Sequence, residues 1–220
     1  MKALLDRARS FRRRVDFESD AYRKLAEGQF PEALFVACSD SRVIPALITG
    51  ARPGEVFEMR NAGNIVPPHR PCAVSGEAAT IEYALEVLDV QDIVVCGHSH
   101  CGAMGALASG KDLSGLPGVG AWLEVARPGL ASVLERPVPG DGGIMGGATG
   151  QTPGEPGSAL VTELAQLNVR VQLAALREYP AARRRLAEGR LRLHGWYYEV
   201  DTGEVWELDE SDNSFLVHAC

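Results

Sequence analysis

The chain has 220 residues, 45% of them apolar and 23% charged, which is the balance of a globular protein with a sizeable core. No apolar run approaches the ~20 residues that a membrane-spanning helix needs, so we expect no membrane partner. The formal net charge of −7 at pH 7 argues against nucleic acid as a partner, because phosphate contacts require clustered Lys and Arg.

The cysteines do not fit a disulfide framework, because they are odd in number and widely spaced. They are Cys38, Cys72, Cys96, Cys101 and Cys220. Residues 1–14 are rich in Arg but lack an apolar core followed by a small-residue cleavage site, so they do not predict a secretory signal. We therefore expect a cytoplasmic protein whose thiols are reduced and available as metal ligands.

Helices and strands alternate along the first half of the chain. Residues 1–28 predict an N-terminal helical arm, with one or two helices over 2–27 and a stop at Gly28. The next predicted elements are a buried strand over 33–37, a short helix over 45–49, a strand over 55–59, a helix over 75–88 and a strand over 92–96. Ser75 is the expected N-cap of the helix over 75–88.

The second half begins with a helix of small residues that runs through Leu107. Residues 137–157 are mostly Gly and Pro, which predicts an insert loop within a single domain over 1–220. The remaining predicted elements are helices over 160–177 and 181–188, then a strand, a turn and a strand over 191–200, 201–203 and 204–208. This order predicts an α/β fold with a mostly parallel central β-sheet flanked by helices and an antiparallel C-terminal edge.

Two polar turns carry the residues that are suited to chemistry. Cys38 comes directly after the first predicted strand, and His98 and Cys101 come after the third. Because open α/β sheets bind ligands beyond the carboxyl ends of their strands, adjacent strands would bring these side chains together. Two thiolates and one imidazole suit zinc, and three protein ligands leave the open fourth position of a catalytic site. Gly97 and Gly102 would let the backbone approach the metal closely.

Each half of this pattern is weak when taken alone. A single Cys after a strand is more often a small buried hydrophobic residue, and His98-x-x-Cys101 occurs in many loops by chance. Asp40 and Arg42 could be an ordinary ion pair at a strand end. The metal-site prediction gains weight because both turns end predicted strands and because this acid and base accompany Cys38.

The segments Cys38-Ser39-Asp40-Ser41-Arg42 and Gly97-His98-Ser99-His100-Cys101-Gly102 resemble the paired signature of the β-carbonic anhydrases. Residues 53–64 and 194–196 are similar to the same family, and the resemblance runs from Phe30 to Phe215. It implies an enzyme that reversibly hydrates carbon dioxide to bicarbonate and a proton. The reaction would use zinc-bound hydroxide assisted by an Asp–Arg dyad.

The resemblance also implies a role for each site residue. Cys38, His98 and Cys101 would bind Zn²⁺. Asp40 and Arg42 would form a catalytic dyad. A second hypothesis comes from the spacing: because Asp40 lies two residues from Cys38, its carboxylate could take the fourth position on the metal if Arg42 released it. The residues that would line the substrate pocket are Gln29, Phe57, Ala62, Tyr83 and Gly102.

The assembly and the branch are implied in the same way. Relatives of this kind are homodimers or dimers of dimers, with N-terminal helices laid over the partner. Gln29 fits the plant-type branch, and Ala62 stands where many relatives carry Val. Another branch has a non-catalytic bicarbonate site that uses a Trp three residues before the first Cys. This chain has Phe35 there, which argues against that site.

The charge of the ligand set predicts that zinc alone does not activate the water molecule fully. Zn²⁺ with two thiolates and a neutral imidazole has no net charge, so it acidifies water less than a three-histidine site and needs the help of Asp40 and Arg42. Two other functions stay open. One is hydrolysis of carbonyl sulfide or carbon disulfide at the same site, and the other is a non-catalytic scaffold stabilised by zinc. Structural zinc normally has four protein ligands, which favours the enzyme.

Overall fold

The computed structural model of the chain describes residues 1–71, 74–136 and 158–217. Within these ranges the helices are α1 (Lys2–Phe17), α2 (Ser19–Leu25), α3 (Pro45–Thr49), α4 (Gly76–Glu86), α5 (Gly102–Ser109), α6 (Pro117–Leu123), α7 (Arg127–Leu134), α8 (Ala159–Arg177) and α9 (Pro180–Ala187). The strands are β1 (Ala33–Cys38), β2 (Val56–Asn61), β3 (Asp92–His98), β4 (Arg192–Tyr198), β5 (Val205–Asp209) and β6 (Ser214–Val217). The predicted insert loop over 137–157 lies outside the described residues.

All six of these strands join one sheet in the order β2-β1-β3-β4-β5-β6. β1 lies between β2 and β3 and is parallel to both, with Cys38 opposite Asn61 of β2. β4 is parallel to β3, whereas β5 and β6 run antiparallel to their neighbours. The predicted α/β fold, with a mostly parallel sheet, flanking helices and an antiparallel C-terminal edge, is confirmed.

Helices α4, α8 and α9 cover one face of the sheet. Leu34 and Val36 of β1, together with Ile93 and Val95 of β3, project onto this side and are fully buried. Their helical partners include Ile81, Leu85, Val169, Leu173 and Ala182. Burial of each large aliphatic side chain contributes about 1.5–3 kcal/mol of transfer free energy. If a strand shifted its pairing by one residue, all of its buried side chains on this face would turn to the other face. This face therefore fixes the register that positions the strand ends.

The opposite face of β1 and β3 is apolar as well. Phe35 and Ala37 alternate with the residues just described and pack with Val94 and Cys96 of β3. The ring of Phe35 meets Trp196 of β4 edge-on, with centroids 5.6 Å apart. Because both faces are buried, the strands are continuous apolar runs rather than alternating ones, which is why the sequence predicts them clearly.

Strands β1 and β3 extend further than the sequence predicted. The predicted strands stop at Ala37 and Cys96, whereas β1 includes Cys38 and β3 ends at His98. Polar side chains at a strand end do not interrupt the backbone hydrogen bonds of a parallel ladder, so the apolar pattern stops earlier than the strand does. Two of the three metal-ligand candidates, Cys38 and His98, therefore stand on rigid strand ends.

Most of the helices agree with prediction, including the short helix α3 over Pro45–Thr49, and two of the described helices were missed. The hydroxyl of Ser75 accepts from the N–H of Ala78 at 3.2 Å, which confirms it as the N-cap of α4. Helices α8 and α9 begin and end within one residue of the predicted bounds. The sequence did not predict α6, α7 or β6. Both helices are short, begin with Pro in the first turn and contain Gly, so they lack a periodic apolar pattern.

Helices α1 and α2 form the predicted N-terminal arm. Neither contains a buried residue. The two helices contact each other through the rings of Phe11 and Tyr22, whose centroids are 5.9 Å apart. Leu4 and Leu5 are about half exposed, so an apolar stripe of the arm lacks a partner within the described part of the chain. None of the described helices has the length and apolar composition that a membrane crossing requires.

Candidate active site

Three metal-ligating side chains meet at the carboxyl edge of the sheet. Cys38 ends β1, His98 ends β3, and Cys101 is the N-cap residue of α5. One ligand atom from each, the two Sγ atoms and a ring nitrogen, lies within 4.8 Å of the others, and all three residues are buried. The adjacent parallel strands β1 and β3 bring these distant residues together, as the sequence predicted.

The ring of His98 is oriented for metal binding. Its Nδ1 lies 2.8 Å from the carbonyl oxygen of Ser99, and because a carbonyl only accepts, Nδ1 carries the proton. Nε2 therefore holds the lone pair, and among the described residues this buried atom has no hydrogen-bond partner. A free lone pair beside two sulfur atoms fits a metal ion, since imidazole ligands usually donate their other N–H to a carbonyl or carboxylate.

Cys38 is the more acidic of the two thiols. The hydrogen bond from Cys101 lowers the pKa of Cys38 to about 4, with further lowering by the N–H groups of Gly63 and Asp40, whereas burial acts in the opposite direction. The same hydrogen bond, together with burial, raises the pKa of Cys101 well above its ordinary value, so the proton stays there. A divalent metal that displaces this proton would bind two thiolates.

Asp40 and Arg42 form a bidentate ion pair beside the cluster. Arg42 Nε donates to Asp40 Oδ1 at 2.9 Å, and its Nη2 donates to Oδ2 at 2.7 Å. The backbone N–H of Arg42 also donates to Oδ1, at 3.0 Å. These bonds hold the pKa of Asp40 well below its usual range and raise that of Arg42. The carboxylate is thereby kept ionised and fixed in orientation.

Arg60 of β2 organises the turn that carries this pair. Its Nη2 donates to the carbonyl oxygens of Asp40 at 2.9 Å and Val43 at 2.6 Å, and its Nε donates to that of Cys38 at 3.1 Å. From the sequence, Arg60 was assigned no role beyond its place in the segment 53–64 that resembles the family. One guanidinium therefore satisfies several carbonyls that the end of β1 leaves without ladder partners.

The turn after β3 is connected to the dyad through His100. Arg42 Nη2 donates to the carbonyl oxygen of His100 at 3.1 Å, and His100 adopts a left-handed backbone with φ 57°. Its Nε2 lies 2.6 Å from Oδ2 of Asp201, in the turn between β4 and β5. Glu199 lies close to the same pair. The sequence assigned no site role to His100 and did not single out Asp201 or Glu199.

The predicted pocket residues divide into two groups. Ala62 directly follows β2, whose last residue Asn61 pairs with Cys38, and Gly102 directly follows Cys101. These two lie at the metal-ligand cluster. A Cβ built on Gly102 would meet no atom within 4 Å, so the space beside it is open.

Gln29, Phe57 and Tyr83 lie elsewhere. Phe57 pairs with Leu34, four residues before Cys38, which places it about 13 Å along the sheet from the cluster end. The ring of Tyr83 is 5.9 Å from that of Phe57 and is partly exposed. Gln29 is exposed and precedes β1 at the end opposite the cysteine. Within one chain, the structure does not bring these three residues to the cluster.

Residues of α6 and α8 also support the cluster, although the sequence did not identify them. Trp122 Nε1 donates to the carbonyl oxygen of Ala62 at 2.8 Å. Asn168 Nδ2 donates to the carbonyl oxygen of Gly63 at 2.9 Å, and Gln172 Nε2 donates to Asn168 Oδ1 at 2.7 Å. Asn168 and Gln172 are buried polar residues on an otherwise apolar face of α8. Their polarity on that face is the one sequence feature that could have indicated a supporting role.

Fold and site together define a class, namely an α/β protein with a buried Cys–His–Cys cluster that could hold a metal ion at the carboxyl ends of parallel strands. A family model described as carbonic anhydrase matches residues 33–205. The carbonic anhydrase of Pseudomonas aeruginosa is 44% identical over 207 residues, which are 91% of this chain and 86% of that protein. That of Synechococcus elongatus is 39% identical over 215 residues, 97% of this chain and 73% of the relative.

Solved structures agree with the sequence comparison. The β-carbonic anhydrase CcaA superimposes with a TM-score of 0.86 at 38% identity, over 99% of each chain. A tetrameric β-carbonic anhydrase from Sordaria macrospora gives a TM-score of 0.70 at 32% identity, over 94% of this chain and 95% of that one. The chain belongs to the carbonic anhydrase family and is a carbonic anhydrase of the β class.

Proposed function

We propose that this carbonic anhydrase hydrates carbon dioxide reversibly at a zinc ion held by Cys38, His98 and Cys101. The observation that carries the proposal is the buried Nε2 of His98, which lies beside two sulfur atoms and has no other partner among the described residues. Two soft thiolates and an imidazole are a ligand set that zinc favours, and a set of three leaves one position for water or substrate.

When bound, zinc supplies Lewis acidity that lowers the pKa of a water molecule in the site. The role proposed for Asp40 is to accept a hydrogen bond from that water and to keep its remaining lone pair directed at carbon dioxide. Arg42 holds the carboxylate ionised, which the bidentate geometry and the lowered pKa of Asp40 support. In this arrangement Asp40 is turned toward Arg42 and does not serve as a fourth metal ligand.

Ala62 and Gly102 are proposed to form the part of the substrate pocket that lies beside the metal. Both are small, and both stand at the carboxyl edge of the sheet where Cys38 and Cys101 lie. Carbon dioxide has no net dipole and no hydrogen to donate, so a small apolar wall suits it better than a polar one.

We further propose that a second copy of the chain supplies Gln29, Phe57 and Tyr83. Their distance from the metal-ligand cluster within one chain supports this, as does the exposure of Gln29 and Tyr83. The apolar stripe of α1, for which residues 1–71, 74–136 and 158–217 provide no partner, offers a surface for the same contact. The tetrameric relative from Sordaria macrospora supports an oligomer as well. In an isologous dimer each copy would complete the pocket of the other.

Zinc content and carbon dioxide hydration, measured together, test the proposed chemistry. We expect one zinc per chain, stopped-flow hydration far above the buffer rate, and an Asp40→Ala variant that retains zinc but loses at least about a hundredfold in kcat/KM. A zinc-loaded protein that hydrates carbon dioxide no faster than buffer would favour the scaffold. Faster turnover of carbonyl sulfide or carbon disulfide would favour the sulfur substrates.

A hybrid of two variants tests the shared pocket. Asp40→Asn and Gln29→Ala chains would be co-expressed with different affinity tags, and the hybrid purified through both tags. If the pocket is shared, the hybrid has one intact site and about half of the wild-type activity per dimer, although each parent is impaired. A hybrid no more active than its parents would place Gln29 in the pocket of its own chain or outside any pocket.

A further inference from the structure

The peptide unit between Ala62 and Gly63 connects the indole of Trp122 to the sulfur of Cys38. Trp122 Nε1 donates to the carbonyl oxygen of this unit at 2.8 Å. The N–H of the same unit, that of Gly63, donates to Cys38 Sγ at 3.3 Å. Trp122 and Cys38 therefore bind opposite ends of one peptide dipole.

The loop that contains this peptide is held on its other side by α8. Asn168 Nδ2 donates to the carbonyl oxygen of Gly63 at 2.9 Å, and Gln172 Oε1 accepts from the N–H of Val66 at 2.8 Å. Both amide side chains are almost completely buried. The loop is thus held by hydrogen bonds to two different helices, and Trp122 of α6 binds the very peptide whose N–H contacts Cys38, whereas α8 binds the peptides that follow it.

The backbone at this point depends on those contacts. Gly63 adopts φ 84°, in the left-handed region, and a Cβ at this position would approach the Cβ of Ala103 to 2.9 Å. A glycine has a wide choice of backbone angles, so its own sequence preference does not fix the direction of its N–H. The direction is set by the groups that bind the carbonyls on either side.

We propose that Trp122 is a positioning residue of the metal centre and acts on Cys38 through the Ala62–Gly63 peptide. The indole N–H fixes the orientation of the peptide and polarises it, which strengthens the hydrogen bond that its N–H gives to the sulfur. Groups that hydrogen-bond a ligand atom orient it and tune its electron donation to the metal. The inference rests on the proposed metal site at Cys38, His98 and Cys101.

Trp122→Phe removes the indole N–H and keeps most of the aromatic surface. Trp206→Phe is the matched control, because among the described residues the Nε1 of Trp206 is buried and has no hydrogen-bond partner. Both variants and the wild type would be loaded with Co²⁺, whose thiolate-to-cobalt charge-transfer absorption reports on the sulfur ligands. Cobalt affinity would be measured by competition with a chelator, and folding by circular dichroism.

A weaker hydrogen bond raises the energy of the sulfur lone pairs, so we expect the charge-transfer band of Trp122→Phe to move to longer wavelength. We also expect its cobalt affinity to fall by about tenfold, the lower end of the usual effect of losing such a group. Trp206→Phe should leave both values at those of the wild type. Trp122→Tyr, which removes the donor from the same position, should repeat the shift and serves if Trp122→Phe does not fold.

A folded Trp122 variant with the wild-type band and affinity would overturn the proposal. So would an equal shift in Trp206→Phe, because that would make the effect one of packing. The wild-type protein shows separately whether the proposed function fails. A wild-type protein without thiolate–cobalt bands refutes the metal site, whereas normal bands without carbon dioxide hydration refute the activity and leave the role of Trp122 intact.

Discussion

The guanidinium of Arg42 binds both oxygens of Asp40, with Nε 2.9 Å from Oδ1 and Nη2 2.7 Å from Oδ2. The same Nη2 donates to the carbonyl oxygen of His100 at 3.1 Å. One side chain thereby ties the turn after β1 to the turn after β3, the two turns that carry the metal-ligand candidates. The position of Asp40 consequently depends on both turns.

Arg42→Lys tests the bidentate geometry. Lysine keeps the positive charge but cannot present two parallel donors to a carboxylate, so Asp40 is expected to lose its fixed orientation. We expect zinc content to be unchanged and kcat/KM for carbon dioxide hydration to fall by up to about a hundredfold. Arg127→Lys is the control and should keep full activity, because Arg127, the first residue of α7, forms only a solvent-exposed pair with Glu124 at the end of α6. Equal activities in the two variants would contradict the role of Arg42.

Asp201→Asn tests the support that His100 receives from the β4–β5 turn. The variant weakens the hydrogen bond to His100 Nε2 but leaves the Arg42–Asp40 pair in place. We therefore expect a decrease in kcat/KM of less than about tenfold, smaller than that of Arg42→Lys. Asp112→Asn, in an exposed turn with Ser114, is the matched control and should have no effect on hydration. A larger loss than that of Arg42→Lys would point to a direct role of Asp201.

Gly97→Ala tests how closely β3 approaches α8 beside the metal-ligand cluster. A Cβ on Gly97 would lie 2.8 Å from Val169 Cγ2 and 3.0 Å from the carbonyl oxygen of Ala165, so helix and strand must separate. We expect a loss of about 1–3 kcal/mol in the free energy of unfolding, measured by urea titration. Gly118→Ala meets no atom within 4 Å and lies in helix α6, so it should leave stability unchanged or raise it by up to about 1 kcal/mol, because alanine favours a helix over glycine. If Gly97→Ala were as stable as the wild type, β3 and α8 would be able to separate at this contact without a cost in free energy.

The ionisation of Asp92 is expected to account for part of the loss of stability of the fold in acid. Hydrogen bonds from Arg192, and then from His194, lower the pKa of Asp92. A carboxyl group with a lowered folded-state pKa stabilises the protein above its unfolded pKa of about 3.9, and that contribution disappears as the pH falls through the folded-state pKa. Urea midpoints between pH 6 and pH 3 should therefore fall more in the wild type than in Asp92→Asn. Parallel curves for the two proteins would rule out this contribution.

The sequence by itself determined five of the six described strands and the metal-ligand candidates Cys38, His98 and Cys101. Strands buried on both faces are continuous apolar runs, and Cys38, His98 and Cys101 stand where two such runs end. The Ser75 cap and the helices over 159–177 and 180–187 were likewise predicted within one or two residues. These features follow from local patterns, namely burial, helical periodicity and capping, that a single stretch of chain contains.

Tertiary structure alone decided which distant groups support those ligands and which do not. Nothing local to Trp122 or Asn168 shows that their donors meet the carbonyls of Ala62 and Gly63, because those contacts depend on how α6 and α8 pack against the end of β2. The distance of Gln29 from Cys38 has a different origin, because Gln29 precedes β1 and Cys38 ends it. Local propensity fixes elements and their ends, whereas hydrogen-bond partners far apart in the chain are selected only when the elements come together.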